Sequence, residues 1–243
     1  FSISYVTVIL RARVAELNGD YDTLYKSCRK AVGLGKNSVL KNADVLIRYA
    51  KALQPKIRHG GMREQKLAIS EAMSLLEHAK TEFHLNLGQS IKCALVEAQT
   101  LFNCGKEIEG KLAYRAALSM LKDDAAISVD DKFDVFATKL QFEDEADAMA
   151  WGNKLLQQAG NDRRLQANYF RVLDAYLTKR PEERLALLKK RGNELLERND
   201  FEDAFDVLYK ATRLSAGDTD TQLAALRAAV NLYRQGSRSP ELL

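Results

Sequence analysis

Apolar or small side chains fall at Phe201, Ala204, Leu208 and Ala211 with mostly charged or polar residues between them, a three-and-four spacing that gathers all four on one face of an α-helix. The same spacing recurs as Tyr21, Leu24, Cys28 and Ala31, as Gly110, Tyr114 and Ala117, as Ala72, Leu76 and Ala79, and more faintly as Ala146, Ala150 and Asn153. Short breakers stand between these runs: NGDY at 18–21, HGG at 59–61 and NCG at 103–105. The pattern predicts about twelve helices, at 2–18, 21–34, 39–58, 63–82, 88–104, 107–122, 130–141, 143–158, 162–179, 182–198, 201–214 and 218–235. Turns this short make consecutive helices antiparallel neighbours.

Composition supports the same picture. Three prolines and thirteen glycines are all that punctuate 243 residues, 46% of them hydrophobic, so strong helix formers dominate and a sizeable core can be buried. The fold class expected is all-α. The longest apolar run, Tyr5 to Leu10, meets Arg11 and Arg13 at once and is far short of the roughly 20 residues that cross a bilayer. The opening FSISYVTVILRAR carries its charges on the wrong side for a secretory signal, and a cytoplasmic location is expected. Cys28, Cys93 and Cys104 are odd in number and widely spaced, which argues against a disulfide framework or a zinc cage and for buried thiols. The chain begins at Phe1 without a methionine and stops after RSPELL, as a piece cut from a longer protein would.

Gly192 precedes the Phe201, Ala204, Leu208, Ala211 series, and Ala12 and Ala98 stand in its place upstream, with Phe136 in the weaker copy. This G-x8-F-x2-A-x3-L-x2-A pattern resembles the tetratricopeptide repeat, in which a small residue lets two helices of a hairpin approach closely and alanines let the next hairpin dock. The resemblance implies one irregular right-handed α-α superhelix over 1–243. Its repeat-like pairs lie near 5–38, 39–83, 88–122, 130–158 and 182–215, with an extra helix at 162–179 and a capping helix at 218–235. It also implies a concave groove for a partner segment, lined from the first helix of each pair. Carried over position by position, the groove receives Val6, Ile9, Arg13 and Glu16; Lys92, Leu95, Gln99 and Phe102; Ala186, Lys189, Asn193 and Leu196; and Ile47 and Lys51 from the third helix. The partner-binding residues expected are Arg13, Lys51, Lys92, Gln99, Lys189 and Asn193, cations and amides suited to a peptide backbone or carboxylates.

Lys189-x-x-Gly192-Asn193 further resembles the start of the carboxylate clamp with which some members hold chaperone C-termini, although the clamp's next asparagine falls on Ala224. Irregular repeats closing on GNELL and a terminal helix are similar to tetratricopeptide output regions of bacterial two-component response regulators. That likeness implies a signalling scaffold switched by an attached receiver domain.

Charge adds a second possibility. Residues 1–66 hold thirteen Lys/Arg against five Asp/Glu, a net +8, whereas 123–147 hold two against nine, a net −7. Such a bipolar chain can dock copies of itself or draw an acidic partner to its basic third. Nucleic acid is the alternative partner, through Arg48, Lys51 and Arg58, although Tyr49 is the one nearby aromatic for base stacking.

No catalytic constellation is recognised, and neither a cofactor nor a metal is expected. GLGKNS at 33–38 resembles the tail of a phosphate loop, but Lys30 and Asn37 occupy the places of its leading glycine and its hydroxyl, so a helix C-cap is expected there. His59, His78 and His84 lack the i, i+4 spacing of ligands on one helix. The acids of FEDEADAM, 142–149, suit the first turn of a helix.

Overall fold

A computed structural model of the chain describes residues 2–35, 42–121 and 127–236. Every regular element among them is helical: α1 Ser2–Asn18, α2 Tyr21–Gly35, α3 Ala43–Ala52, α4 Gln54–His59, α5 Met62–Glu82, α6 Leu87–Asn103, α7 Glu107–Met120, α8 Val129–Phe142, α9 Glu145–Ala159, α10 Arg163–Tyr176, α11 Pro181–Glu197, α12 Phe201–Leu214 and α13 Thr219–Arg234. The all-α class holds, and no helix among the described residues is long and apolar enough to cross a membrane.

The boundaries have local causes. Asn86 accepts the Gln89 amide while Gln89 returns the bond to the Asn86 N–H, a reciprocal cap that starts α6. Ser128, Asp144 and Asp218 cap α8, α9 and α13 in the same sense with single bonds, and Pro181 opens α11 where its missing N–H costs nothing. Asn199 closes the α11–α12 turn in the left-handed region, φ 60°, which asparagine tolerates better than other residues with a Cβ. The helix expected at 39–58 is two, because Pro55 cannot donate to the carbonyl one turn back and the rod breaks at Leu53. Residues 39–41 lie outside the described part.

By backbone contacts the chain forms two compact units, Phe1–Asn168 and Tyr169–Leu243, divided within α10. In the first, α1 and α2, α6 and α7, and α8 and α9 pack as hairpins, and α3 lies against both α5 and α6. Its core runs through three joined clusters: Leu24, Cys28 and Tyr49; Ile57, Leu76 and Cys93; and Ile91, Leu95, Tyr114 and Val135. In the second unit α12 packs against both α11 and α13 over Leu195, Leu208 and Ala228.

Buried positions recur at a constant interval between the two helices of a hairpin: Ala12 and Cys28, Ala98 and Tyr114, Phe136 and Gly152, and Gly192 and Leu208. In the last two pairs the residues meet, since a side chain added at Gly192 would run into Leu208 and one added at Gly152 would run into the Phe136 ring. Small faces large in both, but between α8 and α9 the sizes are exchanged.

The last helix, α13, buries Thr221, Ala225, Ala228 and Leu232, while Leu223, Leu226, Val230 and Tyr233 are exposed on its outside. Val6, Leu10 and Val14 make a similar exposed stripe on α1.

Candidate functional site

Lys51 projects from α3 toward α1 and α8. Its Nζ lies 3.1 Å from Glu16 Oε1 and 2.7 Å from Asp134 Oδ1, and the Arg48 Nε donates to Glu16 Oε2 at 2.8 Å. One turn earlier on α8, Asp131 Oδ1 receives Lys92 of α6 at 2.7 Å. Three cations and three carboxylates thus balance across four helices. All of these but Asp131, together with Asp44, Ile47 and Val96, surround a cleft of about 10 Å³, room for one water molecule.

Burial and charge act in opposite directions here. Burial pushes the Glu16 carboxyl up, but Lys51 and Arg48 outweigh it and hold it down to about 2. Burial would also lower Lys51, yet Asp134 and Glu16 raise it above the ordinary lysine value. Glu16 and Lys51 are thus each held in the charged form by the other's presence, and the ion pairs tie α1, α3, α6 and α8 together.

The polar edge of α8 continues past the acids. Gln99 Nε2 donates to Thr138 Oγ1 at 2.9 Å, and Gln141 Nε2 donates to Asn103 Oδ1 at 3.3 Å. Asp131, Asp134, Thr138 and Gln141 recur at three and four residues, one stripe of a helix. Phe133, Val135, Phe136 and Leu140 are buried on its other sides. Of the partner-binding residues expected in the first unit, Lys51, Lys92 and Gln99 are therefore each met by α8. Arg13, about one third exposed, lies 3.3 Å from Glu16 and joins the same network.

The second unit treats its positions differently. Lys189 Nζ reaches Asp218 Oδ2 at 2.7 Å with 38% of its side chain exposed. Asp218 also caps α13 through the Thr221 N–H, and the Lys189 bond foremost holds its carboxyl at about 2. Asn193 and Ala186 are exposed. Arg191, between them, is a core residue: 6% exposed, with its guanidinium 4.5 Å from the centre of the Phe170 ring. KKRGN is thus divided among an ion pair, a core cation, a packing glycine and one open amide.

The remaining candidates have local explanations. Asp144 accepts the Ala146 N–H at 2.9 Å, so FEDEADAM begins a helix as expected. His78 lies 3.2 Å from Glu82, and no group of three potential metal ligands gathers among the described residues. The lysine, asparagine and serine of GLGKNS lie outside those residues, as does the cap expected there. Cys28 and Cys93 are buried, and burial raises their thiols to about 12 and about 11.

Asp131, Asp134 and Thr138 were not among the expected site residues. Their signal was present as a D-x-x-D-x3-T stripe. It passes for solvated surface until α8 is placed beside α3 and α6. Comparison of the chain with known protein families, with curated proteins and with solved structures finds no match.

Proposed function

We propose that the chain is a non-enzymatic, tetratricopeptide-like scaffold that holds a helical or extended segment of a partner protein. The support from packing is the constant-interval pair of buried positions in four hairpins, in two of which the residues are in close contact, as in the hairpins of such repeats. A shift of about 34 residues, the period of that repeat, also relates α11 to α13. Leu188, Gly192 and Leu195 are buried beside α12, and one period on stand Gln222, Leu226 and Ala229. Two of these are exposed where a return helix would cover them.

The observation that carries the reading is a difference between matched positions. Gln99 is met by Thr138 of the next first helix, whereas Asn193, which holds the same place in its pair, is exposed. In the places of Asp131, Asp134 and Thr138, α13 has Thr221, Ala224 and Ala228; none of these is an anion, and the Thr221 hydroxyl is buried without a hydrogen-bond partner among the described residues. An open amide and a partly exposed lysine supply hydrogen bonding for a peptide segment. Against the nucleic-acid alternative, Arg48 and Lys51 are already engaged by Glu16 and Asp134.

The test is selection of peptides from a random display library on the full chain, followed by affinity measurement with Lys189→Ala/Asn193→Ala. At least tenfold weaker binding is expected, with helical content and melting temperature nearly unchanged. Equal binding rejects this site, and a library that enriches nothing above a scrambled control rejects the scaffold reading.

A further inference from the structure

The first unit's inner face already holds a helix. Four side chains of α8, spaced along one stripe, bond to four positions on the preceding helices: Asp131, Asp134 and Thr138 accept from Lys92, Lys51 and Gln99, and Gln141 donates to Asn103. This is the geometry of a helix laid into a groove, with the ligand belonging to the same chain. Electrostatics makes the fit directional. Without α8, the cations Arg13, Arg48, Lys51 and Lys92 outnumber the carboxylates Glu16 and Asp44 beside them, an excess that two aspartates one turn apart neutralise.

The two bonds that α8 supplies to lysines are reachable from water. The side chains of Lys51 and Asp134 are 19% and 32% exposed, and those of Lys92 and Asp131 are 20% and 16% exposed. Pairs of this kind exchange with competing anions and weaken with salt, unlike apolar contacts. Val135, one turn from Asp131, belongs to the cluster of Ile91, Leu95 and Tyr114, and Phe136 closes on Gly152 of α9. The α8–α9 hairpin therefore has its own internal contact, and it is attached to α6 by buried apolar side chains and to α3 and α6 by a charge-dependent edge.

We infer that α8 is a built-in occupant of the basic face of α3 and α6, and that the partner of this face is an acidic helix whose two carboxylates, one turn apart, take the places of Asp131 and Asp134. This rests on the scaffold reading and names the partner chemistry for the first unit. Binding then competes with α8, so the free protein is in its closed state and an acidic helix is admitted as the hairpin's charged edge is released. The stripe predicts the ligand's form: carboxylates at i and i+3, with a hydroxyl and an amide at i+7 and i+10.

The test uses the full chain carrying Asp131→Asn and Asp134→Asn, which keep the side-chain shapes and remove both charges. Hydrogen exchange of the α8 amides should quicken at least tenfold while those of α11 and α12 stay unchanged. A labelled peptide of residues 128–142, SVDDKFDVFATKLQF, should bind this variant at least tenfold more tightly than it binds the unaltered chain. It should lose that binding when Lys51→Gln and Lys92→Gln are added, and the same peptide with Asp131→Asn and Asp134→Asn should not bind. Unchanged α8 exchange overturns the latch. Faster exchange without gain of peptide binding, or equal binding of the neutral peptide, overturns the acidic-helix partner. Because exchange is read on the protein alone, failure of the library selection described above leaves this arm intact.

Discussion

The two units place comparable polar residues on a first helix and meet them in opposite ways. In the first, Lys51, Lys92 and Gln99 are met by Asp134, Asp131 and Thr138, and the face is closed by another helix. In the second, Lys189 turns aside to the cap of α13 and Asn193 is left in water. The lesson is that helical periodicity specifies which side chains share a face but leaves open whether they face a ligand. The next helix decides that: α8 carries aspartates and a threonine at the contact positions, and α13 carries a threonine and two alanines. A surface that binds and a surface that holds the fold together can share one pattern.

The largest expected contrast comes from removing the central ammonium in each unit. Lys51→Met strips Glu16 and Asp134 of a shared cation in a mostly buried setting and should cost roughly 3 kcal/mol of unfolding free energy. Lys189→Met breaks a pair whose lysine is 38% exposed and should cost less than about 1 kcal/mol. Urea unfolding of the two variants measures both, and equal costs would erase the distinction between a closed and an open face.

Close packing provides the next contrast. Gly152→Ala and Gly192→Ala insert a methyl against Phe136 and Leu208 respectively, each with an overpacking cost of about 1–3 kcal/mol. Leu208→Ala removes the side chain that blocks the methyl, so Gly192→Ala should cost less in a Leu208→Ala background than in the unaltered chain. If the two changes simply add in thermal melts, the contact is not what sets that hairpin's spacing.

Acid sharpens the same comparison. The Glu16 carboxyl is depressed to about 2 in the folded chain, so its contribution is fully present above the unfolded value near ~4.3 and disappears as pH falls through about 2. Glu16→Gln should lower stability at pH 7 and flatten its decline below pH 5, the difference amounting to on the order of 2 kcal/mol. Asp218 is also held at about 2, so the second unit loses its lysine pair over the same interval. Unfolding free energies at a series of pH values would show whether Glu16 governs the first unit's share.

The smallest effect is chemical. Cys28 and Cys93, buried and with raised thiols, should resist a thiol-exchange reagent in the native protein, while the half-buried Cys104 reacts first. Timed mass spectrometry under native and denaturing conditions separates the three. Rapid labelling of Cys28 would mean that the first hairpin opens readily.

Helix positions were legible because apolar spacing, breakers and caps are local signals. The ends of α1 and α12 agree with the pattern to the residue, and the break at Leu53 was missed although Pro55 announces it. The pairing of α8 with α9 was faint for a physical reason: packing needs small against large, and it is satisfied as well by Phe136 on Gly152 as by Gly192 on Leu208. A pattern that looks for the small residue first passes over the exchanged pair. The positions of Lys51, Lys92 and Gln99 on their helices could be read in advance, but their partners lie on a helix distant in sequence. Nothing local distinguishes an aspartate that faces lysine from one that faces water.

The exposed row Leu223, Leu226, Val230 and Tyr233 on α13, with its counterpart Val6, Leu10 and Val14 on α1, also affects how the protein behaves in bulk solution. Contacts that cover such rows gain their strength from released water, so they tighten with heat and loosen with cold. The ion pairs of the first unit respond instead to salt. Concentrated samples of this chain should thus scatter more light on warming and clear again on cooling, well below the temperature at which any helix melts.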